Sequence, residues 1–299
     1  MEAMGLSSPA VDRTWRSTQR ARESSASDRV LAVKIGGSLF SDKSVAGSLD
    51  KGRIARFARV ISSLHERFPG QVVLITGGGA IGHGALRGID PADPFAAIGL
   101  TKALADVRWA WTQALVGLGV RAFPLQLGAM ATLDDDLSFR VRADIVERVL
   151  ASGALPILSG DSVLDANGNL HGLSSDRVPE FLVRALQTPL RVASFTDVPG
   201  IVLGGPGGKE TLRYVDPMTP QAAYEALWTN SEWDTTGGFK TKVDALIRCA
   251  AEGAECFILE GVAQDSEWAY LLSPYSGWSN KLHCTRIARS PAAAVSTAE

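Results

Sequence analysis

The chain alternates between two kinds of segment. Short apolar, β-branched runs stand at VLAVKIGG (30–37), QVVLITGGG (71–79), VRAFPL (120–125), ALPILSGD (154–161), RVASFTD (191–197) and ECFILEG (255–261). Helix-like patterns lie between and after them at 51–68, roughly 99–117, 141–152, 175–187, 219–228 and 240–253. Runs that are apolar on both faces and end in small or polar residues read as buried parallel strands, with their loops gathered at the C-terminal ends. Strand, helix and strand repeated in this way mean an α/β fold with a parallel sheet covered on both faces. VLDANGNLHG (163–172) adds a hairpin, since Asn167-Gly168 between two short runs is the strongest local turn signal in the chain.

Composition sets limits on function. At 299 residues the chain is long enough for one large α/β domain or for two lobes. Its formal net charge of -2 gives no case for nucleic acid or for an acidic membrane surface. No run of about 18 apolar residues is present, so no membrane-spanning helix is expected. The three cysteines, Cys249, Cys256 and Cys284, are odd in number and follow no metal-ligand spacing, which suits a reduced, cytoplasmic protein; Cys249 and Cys256 read as core residues. Residues 1–29 mix charges with serines and lack an apolar stretch, so they read as a disordered tail, and 289–299 as a flexible one.

Glycine marks the places where chemistry is expected. Gly77, Gly79 and Gly82 formally fit the G-x-G-x-x-G spacing of a dinucleotide site, but residues 90–117 hold two prolines and a helical pattern where a second strand ending in an acid is required. GGPGGKET (204–211) is no Walker A either, because Leu203 stands where a glycine is needed and Glu210 where Ser or Thr is needed. What remains is a set of anion-binding pieces. Lys34 lies inside an apolar strand before Gly36, Gly37 and Ser38, and a strand buried on both faces accepts an ammonium only with a carboxylate or phosphate beside it. Gly77, Gly78 and Gly79 can turn backbone N–H groups toward an oxyanion. Ser174, Ser175 and Asp176 open a helix with Pro179 in its first turn, and one of the two serines is expected to be a simple N-cap. Thr236, Gly237, Gly238, Lys240 and Lys242 combine hydroxyls, a glycine turn and lysines just before another helix.

KIGGS, TGGGAIGH, SSD, TDVPGI and TGGFKTK, in this order, resemble the amino acid kinase superfamily across residues 30 to 288. A histidine at His83, just past the glycines, resembles the subgroup of isopentenyl phosphate and fosfomycin kinases. KIGGSLFSDK, GGGAIGHGALR, AFPLQLGAM, SSDRVPE and SEWDTTG are most similar to the fosfomycin resistance kinases. Phe239 departs from the family pattern, which has methionine there. The resemblance implies an open αβα sandwich with a mainly parallel central sheet and two lobes, an acceptor-binding N-terminal lobe (30–190) and an ATP-binding C-terminal lobe (191–288). It implies transfer of the γ-phosphoryl group of ATP, with Mg2+, to the phosphonate of fosfomycin. It further implies that Lys34 and Lys242 touch the transferring phosphoryl and the β-phosphate, with Asp176 holding both lysines. Lys43, His83, the Gly78 and Gly79 amides, Ser174, Ser175 and Thr236 would hold the acceptor. Gly36, Gly37, Ser38, Thr196, Asp197, Gly200, Trp233 and Gly237 would lie along the nucleotide. Mg2+ would be held by phosphate oxygens and water, without an assigned protein ligand. A homodimer is the family's usual state.

Two further readings stay open from the sequence. An isopentenyl phosphate kinase would need an apolar pocket along 84–100 and 126–139, where Leu86, Phe95, Ile98 and Met130 mix with Arg87, Asp90, Asp93 and Gln126. A non-catalytic oxyanion binder on the same fold would be marked by loss of a catalytic lysine, yet Lys34, Lys242 and Asp176 are all present. His83 has a second reading of its own, as a satisfied core histidine.

Overall fold

A computed structural model describes residues 29–42, 45, 47–86, 90, 93–142, 144–204, 208, 210–228, 238–261, 268–279 and 282–290. The six apolar runs form strands β1 (Val30–Ile35), β2 (Val72–Thr76), β3 (Ala122–Pro124), β6 (Leu155–Ser159), β9 (Leu190–Thr196) and β13 (Glu255–Glu260). Small additions are β4 (Ala131–Leu133) with β5 (Phe139–Val141), the predicted hairpin β7 (Asp161–Leu164) with β8 (Leu170–Leu173), β10 (Val202–Leu203) with β11 (Glu210–Thr211), and β12 (Tyr214–Val215). The last strand is β14 (Cys284–Ile287). One sheet of eight strands runs in the order β12-β14-β13-β9-β1-β2-β6-β3. The six predicted strands are mutually parallel, and β14 pairs antiparallel with β13.

Helices cover both faces, as the alternation requires. One face carries α1 (Lys51–Arg67) and α3 (Ile98–Val116), whose Phe57, Ile61, Val107 and Trp111 pack with Leu31, Val33, Leu74 and Ile157 of the sheet. The other carries α4 (Ile145–Ala151), α5 (Val178–Ala185), α6 (Gln221–Trp228) and α7 (Gly238–Ala251), packed against Ala32, Val73, Ile75, Val192 and Ile258. Neighbouring strand residues point to opposite faces, so this parity directs Lys34 toward α5 and α7 and Ser159 toward α3. Cys249 and Cys256 are core residues as expected, and Cys284 is buried too. The short α2 (Gly79–Leu86) begins within the glycine run itself.

One predicted helix is shorter than its pattern. The stretch 141–152 is helical only from Ile145, because Phe139–Val141 pairs with Ala131–Leu133 in a hairpin whose tip places Leu137 at φ 61. Local helical periodicity gives way there to a cross-strand pairing that a single segment cannot reveal. Helix α5 starts at Val178 after a 3-10 turn over Ser175–Arg177, with Pro179 in its first turn as expected.

The order of connections fixes where a ligand belongs. From β1 the chain builds outward through β2 to one side, then returns to lay β9 along β1's other edge. Open parallel sheets bind ligands beyond the carboxyl ends of their strands at such a reversal. Lys34 stands next to the end of β1, in register with Ile75 of β2 and Ser194 of β9.

Candidate active site

Two glycine turns meet at the end of β1 and β2. Gly77 donates its N–H to Ile35 O at 2.8 Å, which draws the second turn against the first. A Cβ on Gly77 would overlap Gly37 N and lie 2.9 Å from Gly37 Cα, and a Cβ on Gly37 would meet Gly79 N at 2.5 Å. Gly79 has φ +55, so it needs glycine on conformational grounds as well. Ser41 joins the two turns from outside: its Oγ donates to Gly37 O at 2.8 Å and accepts from Ala80 N at 3.0 Å. With Ala80 capped in this way, the amides of Gly78 and Gly79 have no protein partner among the described residues and stand at the start of α2, where the helix end is positive. Replacing Gly77 with Ala is expected to cost about 1–3 kcal/mol from overpacking, read as a drop of several degrees in Tm, because the overlapping atoms are backbone and cannot rotate away.

Across the β1–β9 boundary lies a buried charge cluster. Lys34 is 3 % exposed and its Nζ donates to Asp176 Oδ1; Lys242, in the first turns of α7, donates to the same oxygen at 2.7 Å. Two ammoniums therefore share one carboxylate, and the trio carries a net positive charge when both are protonated. The carboxylate a strand lysine requires is thus supplied by the 3-10 turn before α5. Burial lowers Lys34 most, Asp176 opposes it, and Lys242 adds repulsion, leaving Lys34 at about 7. Burial also acts to lower Lys242, but Asp176 outweighs it and raises that lysine, with Asp197 contributing. For Asp176, burial alone acts upward, and Lys242 and Lys34 together hold the carboxyl below the ordinary carboxylate range.

Ser174 is the N-cap of the two serines. Its Oγ accepts from Asp176 N at 3.2 Å and donates to Asp176 Oδ2 at 3.3 Å, which fixes the carboxylate's orientation. Ser175 is buried beside it. At the end of β9, Thr196 Oγ1 donates to Asp197 Oδ1 at 2.8 Å, and Asp197 is exposed. Gly36 donates to Phe195 O at 2.9 Å, so the first glycine turn is also tied to β9, with half-buried Ser38 following. Gly200 is buried where any side chain would collide with Thr211 and Thr285. His83 stands exposed one turn into α2, four residues past Gly79, and is no core histidine. Lys43, Trp233, Thr236 and Gly237 lie outside the described residues.

Sequence reasoning missed Ser41, Arg108 and Ser159. Ser41 lay within a quoted run but gave no signal of bridging two turns. Arg108 faces inward from α3, 4 % exposed, and donates from Nη1 to Ser159 Oγ at 2.6 Å. A helical arginine reads as solvent-facing unless its register against Leu104, Trp111 and Leu115, which lie four, three and seven residues away along the helix, is followed.

The sequence model of the amino acid kinase family matches residues 29–260. The isopentenyl phosphate kinase of Methanocaldococcus jannaschii is 24 % identical over 261 residues, covering 82 % of this chain and 96 % of that protein. The glutamate 5-kinase of Xanthomonas campestris pv. campestris (strain 8004) is 26 % identical over 238 residues, covering 77 % of this chain and 62 % of that protein. A solved product complex of isopentenyl phosphate kinase from T. acidophilum superposes with a TM-score of 0.62 at 17 % identity, over 86 % of this chain and 99 % of that one, a likeness of fold. Among the described residues, no helix is long and apolar enough to cross a membrane. The family match spans the strand ends that bring together Lys34, the paired glycine turns and Asp176, and with these relatives it shows that the chain belongs to the amino acid kinase family and is a phosphotransferase.

Proposed function

We propose that this protein transfers the γ-phosphoryl group of MgATP to the terminal oxyanion of a small acceptor that already bears a phosphate or phosphonate. The observation that carries this reading is the Lys34–Asp176–Lys242 cluster at the sheet's switch point, two buried ammoniums on one carboxylate. Phosphoryl transfer needs alignment and positive charge around a loose transition state more than it needs a base. Lys34 and Lys242 supply the charge, and Asp176 holds them in place. An anionic acceptor has no proton to lose, so no carboxylate is assigned as general base.

The acceptor half comprises residues 30–190. There the Gly78 and Gly79 amides, His83 and the Ser174–Ser175 turn receive the acceptor oxyanion, with Lys43 and Thr236 assigned to the same task. The nucleotide half comprises residues 191–288. Gly36, Gly37 and Ser38 face the phosphates from β1, while Thr196, Asp197 and Gly200 lie along the nucleoside side, with Trp233 and Gly237 assigned to the same task. Mg2+ supplies further charge from its place on the nucleotide phosphates. The homodimer usual for the family and a cytoplasmic setting belong to the same proposal.

For the acceptor, the isopentenyl phosphate kinases among the relatives support isopentenyl phosphate over a phosphonate. Phe95 and Ile98, 51 % and 59 % exposed around the start of α3, offer apolar surface to a hydrocarbon tail, whereas Met130 is buried in the core and does not. Fosfomycin is the second reading, favoured by the runs KIGGSLFSDK and SSDRVPE. Phosphorus NMR of the protein with MgATP, offering each acceptor in a separate tube, tests both. A diphosphate signal matched by ADP only with isopentenyl phosphate is expected. An anhydride signal only with fosfomycin would reverse the choice, and ADP formation in neither tube would overturn both.

A further inference from the structure

Arg108 takes no part in the chemistry above, yet it is among the most buried charges in the acceptor half. From the inner face of α3 its Nη1 donates to Ser159 Oγ at 2.6 Å, lies 3.5 Å from Gly160 O, and stands 3.9 Å from Asp161 Oδ2. Asp161 is 0 % exposed; its two oxygens accept from Ser162 N at 2.9 Å and Gly128 N at 3.2 Å. Arg108 therefore grips one turn, Ser159–Gly160–Asp161, at the junction of β6 and β7.

That turn is the surface on which the catalytic loop rests. A Cβ on Gly160 would overlap Leu173 O, lie 2.8 Å from Ser175 N and lie 3.1 Å from Ser174 C. The backbone of Leu173–Ser175 thus lies directly on Gly160, with no side chain between. The next residue is Asp176, the carboxylate shared by Lys34 and Lys242. One helical turn before Arg108, Leu104 would meet a Cβ on Gly78 at 2.9 Å and one on Gly82 at 3.2 Å. The same face of α3 thus supports both the glycine cradle and, through Arg108, the turn behind Asp176.

We propose that Arg108 is a positioning residue: by pinning Ser159–Asp161 it sets the height of the Ser174–Asp176 turn, and so aligns the two lysines with the acceptor cradle. The proposal rests on the reading of the Lys34–Asp176–Lys242 cluster as the transfer site. Misplacement of a reacting group by about 1 Å can cost 10²-fold in rate, so a contact this indirect can still govern turnover.

The test compares Arg108→Met, Arg108→Lys and Ser159→Ala in the full chain. Ser159→Ala removes the shortest Arg108 bond without changing any charge, and so keeps the test valid if Arg108→Met fails to fold. Deuterium exchange over residues 172–177 is read alongside steady-state rates on whichever acceptor the wild type phosphorylates. Faster exchange at 172–177 is expected in Arg108→Met and Ser159→Ala. A kcat loss of about 10–100-fold is expected in Arg108→Met, with the KM for ATP within about twofold of wild type and part of the rate restored by lysine. Unchanged exchange at 172–177 in a folded variant, wild-type kcat in Arg108→Met, or equal loss of ATP binding would each overturn the proposal. If the wild type phosphorylates neither acceptor, the proposed function falls, and the exchange comparison alone decides the role of Arg108.

Discussion

Lys34→Met is expected to lower kcat by about 10²–10³-fold or more, the loss that follows removal of one donor to developing transition-state charge, while leaving Tm near or above the wild-type value. The two halves of this result have separate causes. Turnover falls because one of the two ammoniums proposed to face the transferring group is gone. Stability holds because Lys34 and Lys242 compete for one carboxylate, and removing Lys34 leaves a one-to-one pair and an apolar side chain in a buried place. Steady-state rates and thermal denaturation on the same preparation check both, and a wild-type rate would remove Lys34 from the transfer.

The same lysine sets a pH signature. In the free protein Lys34 sits at about 7, so kcat/KM should fall as pH rises through that value and the ammonium is lost. Bound phosphates favour the charged form, so the corresponding fall in kcat should lie at higher pH. The effect on folding has the opposite sense. Between about 7 and the unfolded value of 10.5 the unfolded chain holds a proton that the folded chain lacks, so this group makes stability rise with pH across that window. Lys34→Met should flatten the slope.

Asp176→Asn should fail in both respects. Taking away the partner of buried charges costs about 3–5 kcal/mol, because the charge left behind is uncompensated; here both lysines lose the carboxylate they share. The asparagine also lacks the acceptor pair that receives Lys34, Lys242 and the Ser174 hydroxyl. Urea unfolding should show a lower midpoint with an unchanged slope, and turnover should vanish. A variant as stable as the wild type would mean that one lysine is already neutral and that the cluster is less charged than its geometry implies.

The six strands of the parallel sheet were legible because buried strands advertise themselves as continuous apolar runs. The hairpin at Asn167-Gly168 was legible because its turn needs residues that adopt positive φ, and Gly168 has φ +85. Lys34 announced its need for an anion by its burial, although nothing local pointed to Asp176, 142 residues away. What stayed hidden depends on three-dimensional neighbours. Val141 looked like the start of a helix until Phe139–Val141 paired with Ala131–Leu133, and β14, which lies between β12 and β13, carries too short a run to stand out. Ser41 and Arg108 are ordinary residues in ordinary patterns, and only the approach of distant turns gives them work.

The meeting of the two glycine turns has a consequence for how this protein can change over generations. Gly37, Gly77 and Gly79 touch backbone to backbone, so no substitution there can trim or enlarge the proposed anion seat without pushing β1 and β2 apart. That seat is closed to gradual tuning. A shift from one phosphorylated acceptor to another must instead be written in side chains around the rim, such as Phe95 and Ile98, whose exposure leaves them free to vary. A lineage on this scaffold can therefore exchange what hangs from the phosphate while inheriting, unaltered, the means of holding it.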